Sequence, residues 1–270
     1  MCNPTTKGIA VVTGASTGMG AVYADRLAKR GYDLVLVARN EGRLKQVASR
    51  IWEETRREVT VLPADLNNPA DLAKVETLLK TNEAITMLVN NAGVGSVASV
   101  LQADVATVDA MIDLNIKALT RLTYAVAPAF AARKNGTIVN IASVVGIAAE
   151  MLNGVYSASK SYVISLGHSL QKDLADKGVR VQTVLPGATA TEFWDVAGYA
   201  AQKTASITMS AEDAVDAALV GLDKGELVTI PGLHDGDAWE RWEADRRALS
   251  KKFGNAKPAD RYEVKSPQAA

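Results

Sequence analysis

The sequence is poor in the residues that build disulfides or metal centres. Of its 270 residues one is cysteine, Cys2, and two are histidine, His168 and His234. A lone cysteine excludes an internal disulfide and a cysteine-based metal cluster. Beside the start of the chain Cys2 reads as a spectator, and two isolated histidines give no ligand set, so no metal is expected. Charge of one sign is missing too: 30 Lys and Arg stand against 30 Asp and Glu, which argues against nucleic acid as a partner. No apolar run approaches the ~18 residues of a membrane helix. The opening Met1-Cys2-Asn3-Pro4-Thr5-Thr6-Lys7 runs into a short apolar stretch, without the longer apolar region of a signal peptide. A cytoplasmic location and no membrane partner are expected.

What is present is a regular alternation. Short, β-branched apolar runs at 9–12, 34–38, 59–62, 87–89, 137–142, 179–185 and 227–230 read as strands buried on both faces. Helical patterns fall between them, at roughly 20–30, 41–56, 69–80, 104–133, 155–177 and 210–223. This predicts an α/β fold, a Rossmann-type doubly wound parallel sheet of about seven strands with helices on both faces. Residues 1–233 read as one domain, in which 186–210 is a long connection of the size that often forms a lid. Residues 234–270 read as a C-terminal helix and polar tail. Trp239, Trp242 and Leu249 form an apolar stripe on that helix, fit either to dock on the chain's own domain or to meet a partner.

The first strand runs into Thr13-Gly14-Ala15-Ser16-Thr17-Gly18-Met19-Gly20, where a helix begins at once. Glycine lets backbone approach a ligand closely, and a helix N-terminus offers free N–H groups to a pyrophosphate. The glycine spacing departs from G-x-G-x-x-G, but its place between first strand and first helix is that of a dinucleotide site. Gly14, Ser16, Thr17, Gly18, Met19 and Gly20 are the candidate cradle. An NAD-preferring fold normally ends its second strand with a carboxylate for the ribose 2′-hydroxyl. Here Ala38 stands in that place and Arg39 follows; a guanidinium suits a 2′-phosphate, so NADP(H) is expected. Arg43 either assists or is a solvated surface residue.

Tyr156 and Lys160, at i and i+4 in a helical stretch, share one face. A free phenol titrates at about 10, and an ammonium nearby would lower that value towards the range useful for acid–base work. By itself the pair is a common accident of helices.

Taken together, Thr13–Gly20, Asp65, Asn90-Asn91-Ala92-Gly93, Asn115, Ser143, Tyr156/Lys160 and Pro186-Gly187 resemble the compact branch of the short-chain dehydrogenase/reductase family over roughly residues 7 to 230. The resemblance implies an NADP(H)-dependent enzyme that exchanges a hydride between nicotinamide and a carbonyl or alcohol carbon. Tyr156 would give or take the proton, Ser143 would steady the substrate oxygen, and Lys160 would bond the nicotinamide ribose and tune Tyr156. Asn115, in a helix interior that asparagine disfavours, would hold a water of a proton relay. Asn91, Ala92 and Gly93 would line the adenosine ribose, and Asp65 with Leu66 the adenine. Pro186, Gly187 and Thr191 would pass the nicotinamide amide, although Thr189 could play the Thr191 part. The family's habit of pairing through its long fourth and fifth helices implies a homodimer or homotetramer.

For the substrate, a small carbonyl or alcohol compound, the candidate contacts are Val94, Gly95, Val145, Met151, Phe193, Trp194 and Tyr199. Their apolar character points to a hydrophobic ketone, aldehyde or 3-oxoacyl compound; Phe193 and Trp194 serve equally well as packing for the lid. Two rivals are a non-catalytic NADP(H)-sensing binding protein, which could dispense with the four polar groups, and a nucleotide-sugar epimerase, which needs a larger C-terminal domain.

Overall fold

A computed structural model describes residues 6–152, 154–193 and 205–264. Its strands and helices alternate as the apolar periodicity implied: β1 (Ile9–Thr13), α1 (Gly18–Lys29), β2 (Asp33–Ala38), α2 (Glu41–Thr55), β3 (Val59–Pro63), α3 (Pro69–Thr81), β4 (Ile85–Asn90), α4 (Val105–Ile112), α5 (Leu119–Arg133), β5 (Gly136–Ile141), α6 (Gly154–Leu174) and β6 (Val179–Val184). A helix Ala211–Asp223 and a short final strand Val228–Thr229 follow. The sheet has seven strands in the order β3-β2-β1-β4-β5-β6 and then the final strand. Every neighbouring pair is parallel. The strand order reverses between β1 and β4, so a crevice opens at their carboxyl ends, where open α/β sheets bind ligands.

Successive side chains of a strand point to opposite faces, and both faces are filled. Ala10 and Val12 of β1, with Leu34 and Leu36 of β2, pack under Tyr23 and Leu27 of α1 and Leu44 and Ile51 of α2. Val11, Val35 and Val37 face the other way, against Leu72 and Val75 of α3 and Leu122, Val126 and Phe130 of α5. Each such side chain contributes about 1.5–3 kcal/mol through its removal from water, which makes this three-layer core the rigid frame of the crevice.

The helix starts show which N-terminus is spare. Asn40 caps α2 by accepting from Arg43 N at 3.0 Å. Asn68 caps α3, with Pro69 in its first turn, and Asp104 caps α4 through Thr107 N. In α1 the N-cap Thr17 makes no side-chain cap bond and no acidic residue occupies the first turn. The dipole and N–H groups of that terminus are left to the crevice.

One helical stretch departs from its sequence reading. The pattern over 104–133 predicts a continuous helix, whereas the structure inserts a π-helical segment, Asp113–Ala118, between α4 and α5. A π turn takes up an extra residue and recurs at functional sites; here it contains Asn115, whose side chain is buried.

The chain divides into two compact units, Met1–Gly232 and Leu233–Ala270. The second holds a helix, Gly236–Ser250, whose N-cap Asp235 accepts from Ala238 N. Trp239 and Trp242 stack on it with ring centroids 4.8 Å apart. Among the described residues no helix is long and apolar enough to cross a membrane.

Candidate active site

The glycine turn after β1 is built for close approach. Gly14 and Gly18 have φ of +65° and +53°, in the left-handed region that a side chain disfavours. A methyl group on Gly20 would overlap the Gly14 carbonyl oxygen, so α1 starts hard against the turn. Asn91 closes the far side, its Nδ2 donating to Thr13 O at 2.9 Å and Gly14 O at 3.2 Å. Sequence reasoning passed over the Thr13 hydroxyl, which ties the turn to β4. It donates to Val89 O at 3.2 Å and accepts from Asn91 N and Ala92 N, each at 3.0 Å. Ser16, Thr17 and Met19 lie half-buried along this turn and the first turn of α1. An open turn, an uncapped helix start and no carboxylate in its first turn fit a pyrophosphate.

The other predicted cofactor residues border the same crevice at the strand ends. Asp65 is half-buried after β3 and accepts from Asn67 N at 3.0 Å; its neighbour Leu66 is buried. Arg39 directly follows β2 and is exposed. Arg43 is an exposed surface residue whose Nη1 lies 2.6 Å from Glu192 Oε2, itself exposed. Pro186 O accepts from the Ser143 hydroxyl at 3.2 Å, and Gly187 is exposed beside it. The two threonines are told apart by place. Thr189 is buried in a two-residue parallel pairing with Met209 and donates to Gly187 O. The Thr191 methyl stands over Gly18, facing the cradle.

Ser143, Tyr156, Lys160 and Asn115 are all buried. Tyr156 sits in a small apolar cluster with Val145 and Met111, against which Val94 and Phe193 pack. Met111 was not singled out from sequence, because it reads as ordinary core. Met151 stays exposed and outside this cluster, and Trp194 and Tyr199 lie outside the described residues. Lys160 Nζ donates to Ile141 O at 2.9 Å and stands 5.7 Å from the Tyr156 ring centroid. Asn115 clamps the backbone of Val94 in both directions, accepting from its N at 3.0 Å and donating to its O at 2.9 Å. It also donates to Ser159 Oγ at 3.1 Å, and that hydroxyl in turn donates to Tyr156 O at 2.7 Å. Gly93 lies between the Asn115 amide and the Lys160 ammonium, with no side chain to separate them.

The electrostatics correct one expectation. The i, i+4 spacing suggested that Lys160 lowers the Tyr156 phenol. Burial instead raises it to about 12, with the Ser143 hydroxyl pulling down by less. Burial also pushes the Lys160 ammonium down to about 8, because a charge is disfavoured in apolar surroundings. The phenol is therefore a protonated acid across the neutral range, and the lysine is the group poised to change charge.

A parallel sheet of this order with a glycine turn after β1 defines a dinucleotide-binding fold of the Rossmann class. The chain belongs to the short chain dehydrogenase family, whose pattern matches residues 8–202. It is thus an oxidoreductase of a family that acts on CH–OH and C=O groups and binds a nicotinamide cofactor. A short-chain dehydrogenase from Sphingobium yanoikuyae, solved in complex with NADPH, is 45% identical; the match covers 94% of this chain and 100% of that one, with a TM-score of 0.92. The bulky-bulky ketone specific alcohol dehydrogenase from Comamonas testosteroni is 42% identical, covering 96% and 99%, with a TM-score of 0.88. An uncharacterised oxidoreductase from Staphylococcus saprophyticus is 36% identical over 225 residues, 82% of this chain and 94% of that protein.

Proposed function

We propose that the protein is an NADP(H)-dependent carbonyl reductase or alcohol dehydrogenase for a small, apolar ketone, aldehyde or 3-oxoacyl compound. The observation that carries this reading is the Tyr156 phenol, buried among Val94, Val145 and Phe193 beside the Ser143 hydroxyl. An apolar wall around one proton donor suits a substrate whose only polar group is the reacting oxygen. The likeness to the Comamonas enzyme, an alcohol dehydrogenase specific for bulky-bulky ketones, supports a ketone or alcohol as the reacting group.

When bound, the cofactor supplies or accepts the hydride at the carbon. Tyr156 gives its proton to the developing alkoxide, and in the reverse direction takes it from the alcohol. Ser143 turns its hydroxyl to the same oxygen and holds it in reach. Lys160, protonated below about pH 8, orients the nicotinamide ribose and restores the Tyr156 proton. Asn115 positions the pair through Val94 and Ser159, and a water on its π-helical turn completes the proton route. Gly14 to Gly20 hold the pyrophosphate, with Asn91, Ala92, Gly93, Asp65 and Leu66 along the adenosine. Pro186, Gly187 and Thr191 meet the nicotinamide amide; Thr189 supports them from behind.

The test is loss of NADPH absorbance against a panel of ketones, aldehydes and 3-oxoacyl thioesters. Turnover confined to small, highly charged carbonyl compounds would reject the apolar site. Arg39 makes no ion pair with a described residue, and we assign it to the 2′-phosphate. Arg39→Asp is expected to weaken NADPH by about 1–3 kcal/mol, the scale of a charge-assisted hydrogen bond, and to shift preference towards NADH. Equal losses for the two cofactors would move that role to another residue.

The lysine sets the expected pH dependence. Its ammonium is present below about 8 and lost above it, while Tyr156 keeps its proton throughout. For carbonyl reduction, kcat/KM should be level on the acid side and fall as pH rises through about 8. A profile level to about pH 10, the ordinary lysine range, would take Lys160 out of the proton route.

A further inference from the structure

Gly95 and Phe193 are far apart in sequence and meet at the reacting group. Gly95 follows the Val94 peptide that Asn115 clamps on both sides, so its backbone is fixed. Any side chain at position 95 would run into the Phe193 ring: its Cβ would overlap Cζ and come within 3.0 Å of Cε1 and 3.3 Å of Cε2. The missing side chain is a slot, and the tip of the phenyl ring fills it. The same ring lies 5.5 Å from the Tyr156 ring, centroid to centroid, tilted by 46°, a favoured aromatic arrangement.

Phe193 is held there by its two neighbours. Its N–H donates to Thr191 Oγ1 at 3.4 Å, and the Thr191 methyl rests over Gly18 of the glycine turn. Glu192 is ion-paired to Arg43 of α2. Three consecutive residues thus touch the phosphate cradle, the second helix and the proton donor.

We propose that Phe193 is the specificity-determining residue of this site: seated in the Gly95 slot against Tyr156, its ring sets the size of the carbonyl substituent that reaches the phenol. The proposal rests on the carbonyl-reductase reading above. A substrate with one small substituent fits with the ring in place. One with two phenyl-sized substituents must displace it, giving up the Tyr156 contact and the slot together.

The test compares acetophenone with benzophenone, using NADPH and four proteins: the wild type, Phe193→Ala, Gly95→Ala and the double variant. Phe193→Ala is expected to raise the ratio of kcat/KM for the larger ketone over the smaller by at least about tenfold, the range in which pocket size discriminates. Gly95→Ala is expected to change that ratio in the wild type but hardly at all once Phe193 is gone, since contacting residues couple. An unchanged ratio in Phe193→Ala, or the same Gly95→Ala effect in both backgrounds, overturns the proposal.

A second readout needs no turnover. Nitration of Tyr156 by tetranitromethane, followed on its own peptide by mass spectrometry, should be several-fold faster without the Phe193 ring, because burial limits reagent access. If the wild type reduces neither ketone nor any other compound of the carbonyl panel, the carbonyl-reductase reading is what fails. The nitration rates then decide on Phe193: faster modification of Phe193→Ala supports its seat over Tyr156, and equal rates overturn it.

Discussion

Tyr156→Phe is expected to remove at least about 10²–10⁴-fold of the turnover, the usual contribution of a positioned acid, while NADPH binding stays unchanged. The reasoning is geometric. The phenylalanine ring keeps the contacts with Phe193, Val94 and Val145, so the apolar wall stands. What goes is one buried hydroxyl whose ionised form burial strongly disfavours. Folding stability should not fall, since removal of a desolvated hydroxyl with little compensating bonding is close to neutral. Ser143→Ala is a less clean probe. Its hydroxyl also donates to Pro186 O and accepts from Val145 N, so its loss disturbs the strand end as well as the substrate oxygen. The measurements are kcat on the best ketone of the panel and a NADPH titration by fluorescence. Substantial turnover by Tyr156→Phe would require another acid; loss of NADPH binding with turnover would mean that the ring holds the cofactor.

How much of this was legible before the fold was known follows from the range of the interactions. Strands and helices alternate at the predicted places because burial on both faces writes a local, continuous apolar pattern. The cradle was legible for the same reason: strand, glycine turn and helix are contiguous in the chain. Asn115 was picked out, but its π turn was not. That turn's Asn115 is bonded to Val94, from another loop, and no local period encodes that contact. The pair of Gly95 and Phe193 escaped as a unit, since either alone is unremarkable in sequence. Direction of charge tuning was misread because i, i+4 spacing reports proximity and says nothing of burial. Both Tyr156 and Lys160 are removed from water, and desolvation is the largest influence on each. In sequence Thr13 reads only as the head of the glycine turn; the three hydrogen bonds of its hydroxyl, to Val89 O, Asn91 N and Ala92 N, appear only when β1 and β4 are neighbours.

The cradle carries the second large expectation. Gly20→Ala should lower the melting temperature by about 4–8 °C, at the roughly 2–4 °C per kcal/mol of a chain this size, and weaken NADPH binding by about tenfold or more. Two effects oppose each other. Alanine favours a helix over glycine by about 1 kcal/mol, and position 20 is inside α1. Against that, the new methyl would overlap the Gly14 carbonyl oxygen and stand 2.8 Å from the Gly14 carbonyl carbon. Overpacking typically costs about 1–3 kcal/mol, and the obstacle here is backbone, which cannot swing aside as a side-chain end can. The methyl would also crowd Asn91 Nδ2, whose bonds to Thr13 O and Gly14 O are worth roughly 0.5–1.5 kcal/mol each. The steric and hydrogen-bond losses therefore exceed the helical gain by about 2 kcal/mol. Gly42→Ala separates the two effects. That glycine is exposed in the first turn of α2, with Asn40 Oδ1 at 3.5 Å as its nearest neighbour, so only the helical gain applies and the melting temperature should rise slightly. Melting followed by circular dichroism and NADPH titration would be run on both variants. Wild-type melting and binding in Gly20→Ala would show that the turn yields to a methyl group. The close fit of α1 against Gly14 would then not be what holds the phosphates.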